Sequence, residues 1–224
     1  MHASPTLFPN THQPSTEQLG EGIFLLRSFA FSEAESLLAA VAAIDAVTPF
    51  RHLVVPGGHT MSVAMTNTGA YGWVSDRTGY RYTADDPLSH RPWQPMPPAF
   101  TSLAQRAAAA AGFAGEAPNA CLINRYAVGA RLSLHQDKDE LDFTHPIVSV
   151  PLGLPATFLL GTLRRTDTPR RIRIEHGDVV VWGGASRLVY HGVAPIRDGV
   201  HPLTGPFRIN LTFRHVAQRA DRST

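Results

Sequence analysis

Cysteine is nearly absent from this chain. Cys121 is the only one among 224 residues, which excludes an internal disulfide and a cysteine-rich zinc site. A lone thiol suits a reducing compartment, and the cytoplasm is the expected location. Lysine is as scarce: Lys138 is the only one, and every other basic residue is an arginine. No apolar run approaches the roughly 18 residues of a membrane span. Residues 1–20 are polar, carry prolines and lack an apolar h-region. They read as a loosely ordered tail, not as a secretory signal. Excess charge of either sign is also missing. The formal net charge is +2, so bulk electrostatics does not dictate a polyanionic partner.

What remains is an ordinary globular composition, 43% hydrophobic and 17% charged, in a chain long enough to bury one sizeable core. A single domain is expected over residues 21–215, with a second tail at 216–224. Ser32, followed three residues later by Glu35, predicts a capping box opening a helix that runs to about Val47. A second helix is predicted from Pro98 through the alanines to Gly112. After Gly112 short aliphatic runs alternate with Gly, Pro and Asp, giving predicted strands at Cys121–Tyr126, Arg131–His135, Pro146–Leu154, Thr157–Leu160, Arg171–Glu175, Asp178–Trp182, Arg187–His191 and Phe207–His215. That spacing predicts a mainly β protein, a sandwich or jelly roll, with the helices packed outside one sheet. Pro151 inside a strand implies an edge or a bulge. Residues 53–83 mix short strands, Gly-rich turns and aromatics, and read as a separate lobe or lid.

Period two brings the chemistry into view. His135 and Asp137 fall on one face at a strand end, able to hold one ion. A third ligand must come from His145, His176, His191, His201 or His215. His191 ends an apolar strand and is the best placed. His176 lies in a turn and is expected to be exposed. The bland alternative for His191 is a core histidine bonded to a backbone carbonyl. Two imidazoles and one carboxylate leave open positions on non-haem Fe(II). In the last strand Arg208, Asn210, Thr212 and Arg214 alternate with apolar Ile209, Leu211 and Phe213. Two arginines on the inner face of a small β structure imply anions to meet. Asn124 and Tyr126 share a face of their own strand as further hydrogen-bonding groups. Together these suit a pocket for a small dicarboxylate. Arg164, Arg165, Arg170, Arg171 and Arg173 flank a turn. They fit phosphate contacts or a solvated hairpin tip about equally.

Four blocks closely resemble the bacterial AlkB family of Fe(II)- and 2-oxoglutarate-dependent dioxygenases: residues 121–126, 134–140, 176–184 and 210–214. Residues 56–58 and 60–65 extend the likeness, which runs from about Gly22 to Arg214. The resemblance implies a double-stranded β-helix core at about 118–215 and a nucleotide-recognition lid at about 50–90. It implies His135, Asp137 and His191 as iron ligands, with 2-oxoglutarate and O2 as co-substrates. Arg208 and Arg214 would hold the two carboxylates of 2-oxoglutarate, with Asn124, Tyr126 and Asn210 adding hydrogen bonds. Met65, Trp73 and Tyr80 would stack on the substrate or contact its phosphates, and Trp73 with His135 would form an aromatic slot for the base. Asp139 would contact the damaged base, and Arg165 and Arg131 would line the groove. The implied function is oxidative demethylation of N-alkylated bases such as 1-methyladenine and 3-methylcytosine in single- or double-stranded DNA, with RNA as a further substrate. Formaldehyde, succinate and CO2 would be released by a monomer that needs no membrane. Two rivals stand beside it: an oxygenase acting on a protein or small metabolite, and a non-enzymatic β-barrel binding module.

Overall fold

A computed structural model describes residues 13–115 and 117–217. Along the chain, β1 (Ser15–Gly20) and β2 (Ile23–Arg27) lead into α1 (Ala34–Val47). Next come β3 (Arg51–Val54), β4 (Thr60–Gly69), the hairpin β5 (Gly72–Asp76) and β6 (Gly79–Thr83), the short pair β7 (Asp85–Asp86) and β8 (Arg91–Pro92), and α2 (Pro98–Ala110). The remainder is strand: β9 (Ala120–Tyr126), β10 (Leu132–His135), β11 (Ile147–Gly153), β12 (Ala156–Leu160), β13 (Arg170–Ile174), β14 (Val179–Trp182), β15 (His191–Val193) and β16 (Arg208–Arg214). An eight-stranded sheet runs β1-β2-β14-β11-β16-β9-β4-β3, and a four-stranded sheet runs β10-β15-β12-β13.

Two apolar layers follow from the period-two alternation of the central strands. The outer face of the large sheet, with Ile209, Leu211, Phe213, Val148, Val150, Val179 and Val181, packs on Leu37, Val41 and Ile44 of α1 and on Phe100, Leu103 and Ala107 of α2. Its inner face, with Leu122, Tyr126, Ile147, Val180 and Trp182, meets Phe158, Leu160, Ile172, Ile174 and Val193 of the small sheet. The jelly-roll core and the outside helices are therefore as the pattern predicts.

Several local expectations are corrected. The capping box does not form: a 3-10 turn, Phe31–Glu33, absorbs Ser32, so Glu33 becomes the helix N-cap and makes no side-chain capping bond. The predicted strand Arg187–His191 is a turn through Val189, whose N–H donates to Ser186 O, and the ladder starts only at His191. Pro151 lies in β11, a central strand, without a bulge in its pairing to β16. Pairing to β14 stops at Ser149, and the Pro151 carbonyl points to that side, accepting from the Gly177 N–H. N and C=O of one strand residue face the same way, so the missing donor costs the ladder nothing. Ser15–Gly20, expected in the loose tail, forms β1 on the sheet edge, while residues 1–12 lie outside the described residues. Of the stretch read as a lid, β3 and β4 are built into the large sheet, and β5–β8 stand apart in two small sheets of their own.

Phe213 sits edge-on to Phe100 at 5.8 Å between sheet and helix, on the face away from the small sheet. Phe213→Ala is expected to lower the unfolding free energy by about 3–5 kcal/mol, read as a lower denaturant midpoint at unchanged slope.

Candidate active site and metal centre

β10 and β15 pair antiparallel with His135 directly opposite His191. The pairing brings the two rings to 4.4 Å between centroids. Asp137 follows two residues past His135, so its carboxylate turns to the same side: His135 Nε2 lies 3.6 Å from Oδ1 and His191 Nε2 lies 3.8 Å from Oδ2. One ligand atom from each residue falls within 4.8 Å of the others. The imidazoles are oriented from behind. His135 Nδ1 is 2.9 Å from Ser133 O and His191 Nδ1 is 3.1 Å from Val189 O. Each Nδ1–H therefore donates to a carbonyl, which leaves both Nε2 lone pairs aimed at the carboxylate side. Burial, with His135 alongside, lowers the His191 pKa to about 4, so that ring is neutral at pH 7. Burial would raise the Asp137 carboxyl, but Arg214, with both histidines adding to it, holds it well below the usual carboxylate range. Three electron-pair donors converge from two strands and the segment that follows β10, and the set calls for a cation; it fits Fe(II) with positions to spare.

The floor beside this triad is the inner face of β16. Arg214 donates from Nε and Nη2 to Asp137 Oδ2 at 3.1 and 2.9 Å. Arg208, 1% exposed, reaches only neutral acceptors, Leu154 O at 3.4 Å and Asn210 Oδ1 at 3.3 Å. Its Nε has no partner, and burial pulls its pKa down to about 10. Among the described residues no carboxylate lies within ion-pair distance of it. A buried guanidinium in that state is stabilised by an incoming anion. Asn124 Oδ1 is buried without a partner as well. Turning that amide presents its NH2 to a carboxylate instead. Asn210 is held by Ser149 and Thr212, whose hydroxyl oxygens each accept from its Nδ2 at 3.0 Å.

All of the residues picked from the sequence meet in one cleft of about 810 Å³. His135, Asp137, His191, Asn124, Tyr126, Arg208, Asn210 and Arg214 line it together with Met65, Trp73, Tyr80, Arg131, Asp139 and Arg165. Trp73 stacks on Tyr80 at 5.5 Å with ring planes 14° apart, and its indole N–H donates to Asp139 Oδ2 at 2.9 Å. Met65 is buried in the inner core, whereas Arg131 and Arg165 are exposed at the rim. The arginine cluster divides: Arg165 lines the cleft, while Arg164 pairs with Asp167 and Arg173 with Glu175. The other histidines weighed as a third ligand do not line the cleft. His176 is half-buried instead of exposed, lies against His201 with ring centroids 4.4 Å apart and planes tilted by 35°, and accepts from the Gly153 N–H. His145 stacks on His215 at 3.9 Å.

Two residues of the site had no role in the sequence reading. Arg187, 2% exposed, clamps the segment after β10 by donating to His145 O, Asp137 O and Glu140 Oε2. Glu140, 1% exposed, takes bonds from Arg187 and from the Tyr82 hydroxyl. An arginine in phase with His191 in an otherwise apolar segment was the available signal for Arg187.

This donor set on a jelly roll is that of the 2OG-Fe(II) oxygenase superfamily, whose pattern matches residues 22–214, and the chain belongs to it. It is a dioxygenase that uses Fe(II), 2-oxoglutarate and O2. Among individual proteins it is 57% identical over 206 residues to the alpha-ketoglutarate-dependent dioxygenase AlkB of Salmonella typhimurium, covering 92% of this chain and 95% of that one. The nucleic acid dioxygenase ALKBH1 of Mus musculus is 36% identical over 122 residues, 54% of this chain and 31% of that protein. The solved structure of OsALKBH1 superposes with a TM-score of 0.79 at 28% identity, over 90% of this chain and all of that one.

Gly192 follows His191 in the ladder, and a Cβ there would sit 2.6 Å from Leu132 O on the facing strand. Gly192→Ala is expected to force β10 and β15 apart, destabilise by about 1–3 kcal/mol, and weaken Mn(II) binding measured by calorimetry.

Proposed function

We propose that this dioxygenase removes alkyl groups from the ring nitrogens of bases in nucleic acid, 1-methyladenine and 3-methylcytosine being typical, and so repairs DNA directly. The observation that carries this reading is the continuity of the cleft. It takes in both the donor triad with two buried arginines and Trp73, Tyr80 and Met65, with the exposed Arg131 and Arg165 lining it too. A stacked aromatic pair with exposed arginines lining the same cleft suits a base with its phosphates outside. The similarity to AlkB of Salmonella typhimurium and to the nucleic acid dioxygenase of mouse supports the same substrate class.

In this reading His135, Asp137 and His191 would hold the iron, which when bound would supply oxidising power drawn from O2 and 2-oxoglutarate. Arg208 neutralises one carboxylate of 2-oxoglutarate deep in the cleft, with Tyr126 and Asn124 beside it. Arg214, already ion-paired to Asp137, takes the other carboxylate. Trp73 and His135 sandwich the base, and Asp139 accepts from an exocyclic amine while its other side bonds the Trp73 indole. A methyl carbon, once hydroxylated, leaves as formaldehyde and the ring nitrogen keeps the electron pair. Damage on the pairing edge lowers the few kcal/mol needed to flip the base out of a duplex. RNA is accommodated by the same contacts, since none of them reads the sugar. The enzyme acts as a monomer in the cytoplasm. No helix among the described residues is long and apolar enough to cross a membrane.

The test is a mass-spectrometric assay on a single-stranded oligonucleotide carrying one 1-methyladenine. Loss of the methyl group is expected only with both Fe(II) and 2-oxoglutarate, and His135→Ala should abolish it at any co-substrate concentration. Succinate formation without demethylation would retain the oxygenase and replace the substrate with a protein or metabolite. Arg208→Ala is expected to raise the 2-oxoglutarate concentration for half-maximal turnover by roughly 10- to 100-fold, the worth of charged hydrogen bonds. An unchanged requirement would remove Arg208 from the co-substrate site.

A further inference from the structure

The β5–β6 hairpin reaches the metal end of the cleft through two bonds from one register pair. Trp73 and Tyr82 are directly opposite in the ladder and so share a face. Trp73 Nε1 donates to Asp139 Oδ2 at 2.9 Å, and the Tyr82 hydroxyl donates to Glu140 Oε1 at 2.7 Å. Their acceptors are consecutive residues of the segment that begins with Asp137. The two bonds lead to different places. Asp139 is half-buried at the cleft wall, whereas Glu140 is buried against two arginines. Its Oε2 lies 3.2 Å from Arg187 Nη2, and its Oε1 lies 3.4 Å from Arg214 Nε. That same Nε is 3.1 Å from Asp137 Oδ2. One guanidinium is therefore shared between two carboxylates. Of the two oxygens that compete for its Nε, the one on Glu140 is already engaged by a hydroxyl from the hairpin.

We infer that Tyr82 is a positioning residue that links the hairpin to the 2-oxoglutarate site through Glu140 and Arg214. The inference rests on the reading of Arg214 as an anchor for a co-substrate carboxylate. By donating to Glu140 Oε1, the hydroxyl satisfies that oxygen and leaves Arg214 directed at Asp137 and the cleft. Without it, the only partner left to Oε1 among the described residues is Arg214, and a buried carboxylate takes whatever cation it can reach. Arg214 is then drawn toward Glu140 and away from the dicarboxylate. Coupling of this kind is reciprocal: a dicarboxylate that orders Arg214 must also favour the hairpin in the position that bonds Glu140. A co-substrate can thus prepare the wall against which the base will stack, although it touches neither Trp73 nor Tyr80.

The decisive comparison uses the full-length protein loaded with Mn(II), which binds such sites without turnover. Calorimetry would give the 2-oxoglutarate Kd, and amide hydrogen exchange would follow residues 72–83 with and without 2-oxoglutarate. Tyr82→Phe keeps the ring and removes only the hydroxyl, so the fold is retained. Its Kd for 2-oxoglutarate is expected to rise about tenfold, and the protection of the hairpin by 2-oxoglutarate should largely disappear. Ser75→Ala is the companion, because Ser75 Oγ ties the same hairpin to Val54 O at 2.7 Å without any path to Arg214. Its Kd should stay within twofold of the parent. An unchanged Kd in Tyr82→Phe would overturn the inference, and so would an equal rise in both variants, since general loosening of the hairpin would then be the cause. Failure of the parent protein to demethylate, with these binding results intact, would count against the nucleic-acid reading alone.

Discussion

A carboxylate buried between two histidines is costly to hold ionised, and the ion pair between Arg214 and Asp137 makes it tolerable here. The pair is almost fully enclosed, with both side chains under one-tenth exposed. A buried pair of this kind contributes little net stability compared with apolar packing, but losing one member leaves an uncompensated charge. The surrounding chain is arranged so that neither member is lost. Arg187 pins the backbone on which Asp137 rides, Glu140 balances the second arginine, and β16 carries Arg214 between two central neighbours, β11 and β9.

The same strand shows how one stretch of sequence serves two demands. Ile209, Leu211 and Phe213 fasten the sheet to the helices, and the residues between them furnish the cleft with charge and hydrogen bonds. Core and site are thus two faces of one ribbon. A register slip of one residue would exchange them, which is why six consecutive pairs to β11 and seven to β9, without a bulge, matter to function as well as to stability.

Much of this was legible in the sequence because period two is visible there. His135 with Asp137, and Arg208 with Asn210 and Arg214, fall on common faces by spacing alone, and the structure brings them into one cleft. Features that depend on the loop path were not legible. The bond between Tyr82 and Glu140 joins residues 58 apart in sequence. The predicted strand at Arg187 failed because a buried guanidinium and a 3-10 turn outweigh an apolar run. β1 was read as tail since Ser-Thr-Glu-Gln shows no apolar alternation: it is exposed, and its pairing to β2 comes from backbone hydrogen bonds. The capping box matched its motif, but the preceding turn had already used its serine.

β13 closes one end of the small sheet, and no strand among the described residues pairs with its outer side, although Arg173 O accepts from Arg27 Nη1. Such a border invites another strand, from a second copy or from a partly unfolded neighbour, to extend the sheet. Here the border strand reads Arg-Arg-Ile-Arg-Ile, with all three arginines exposed. An identical strand approaching it would bring like charges face to face, so the fold carries its own safeguard against fibrous self-association.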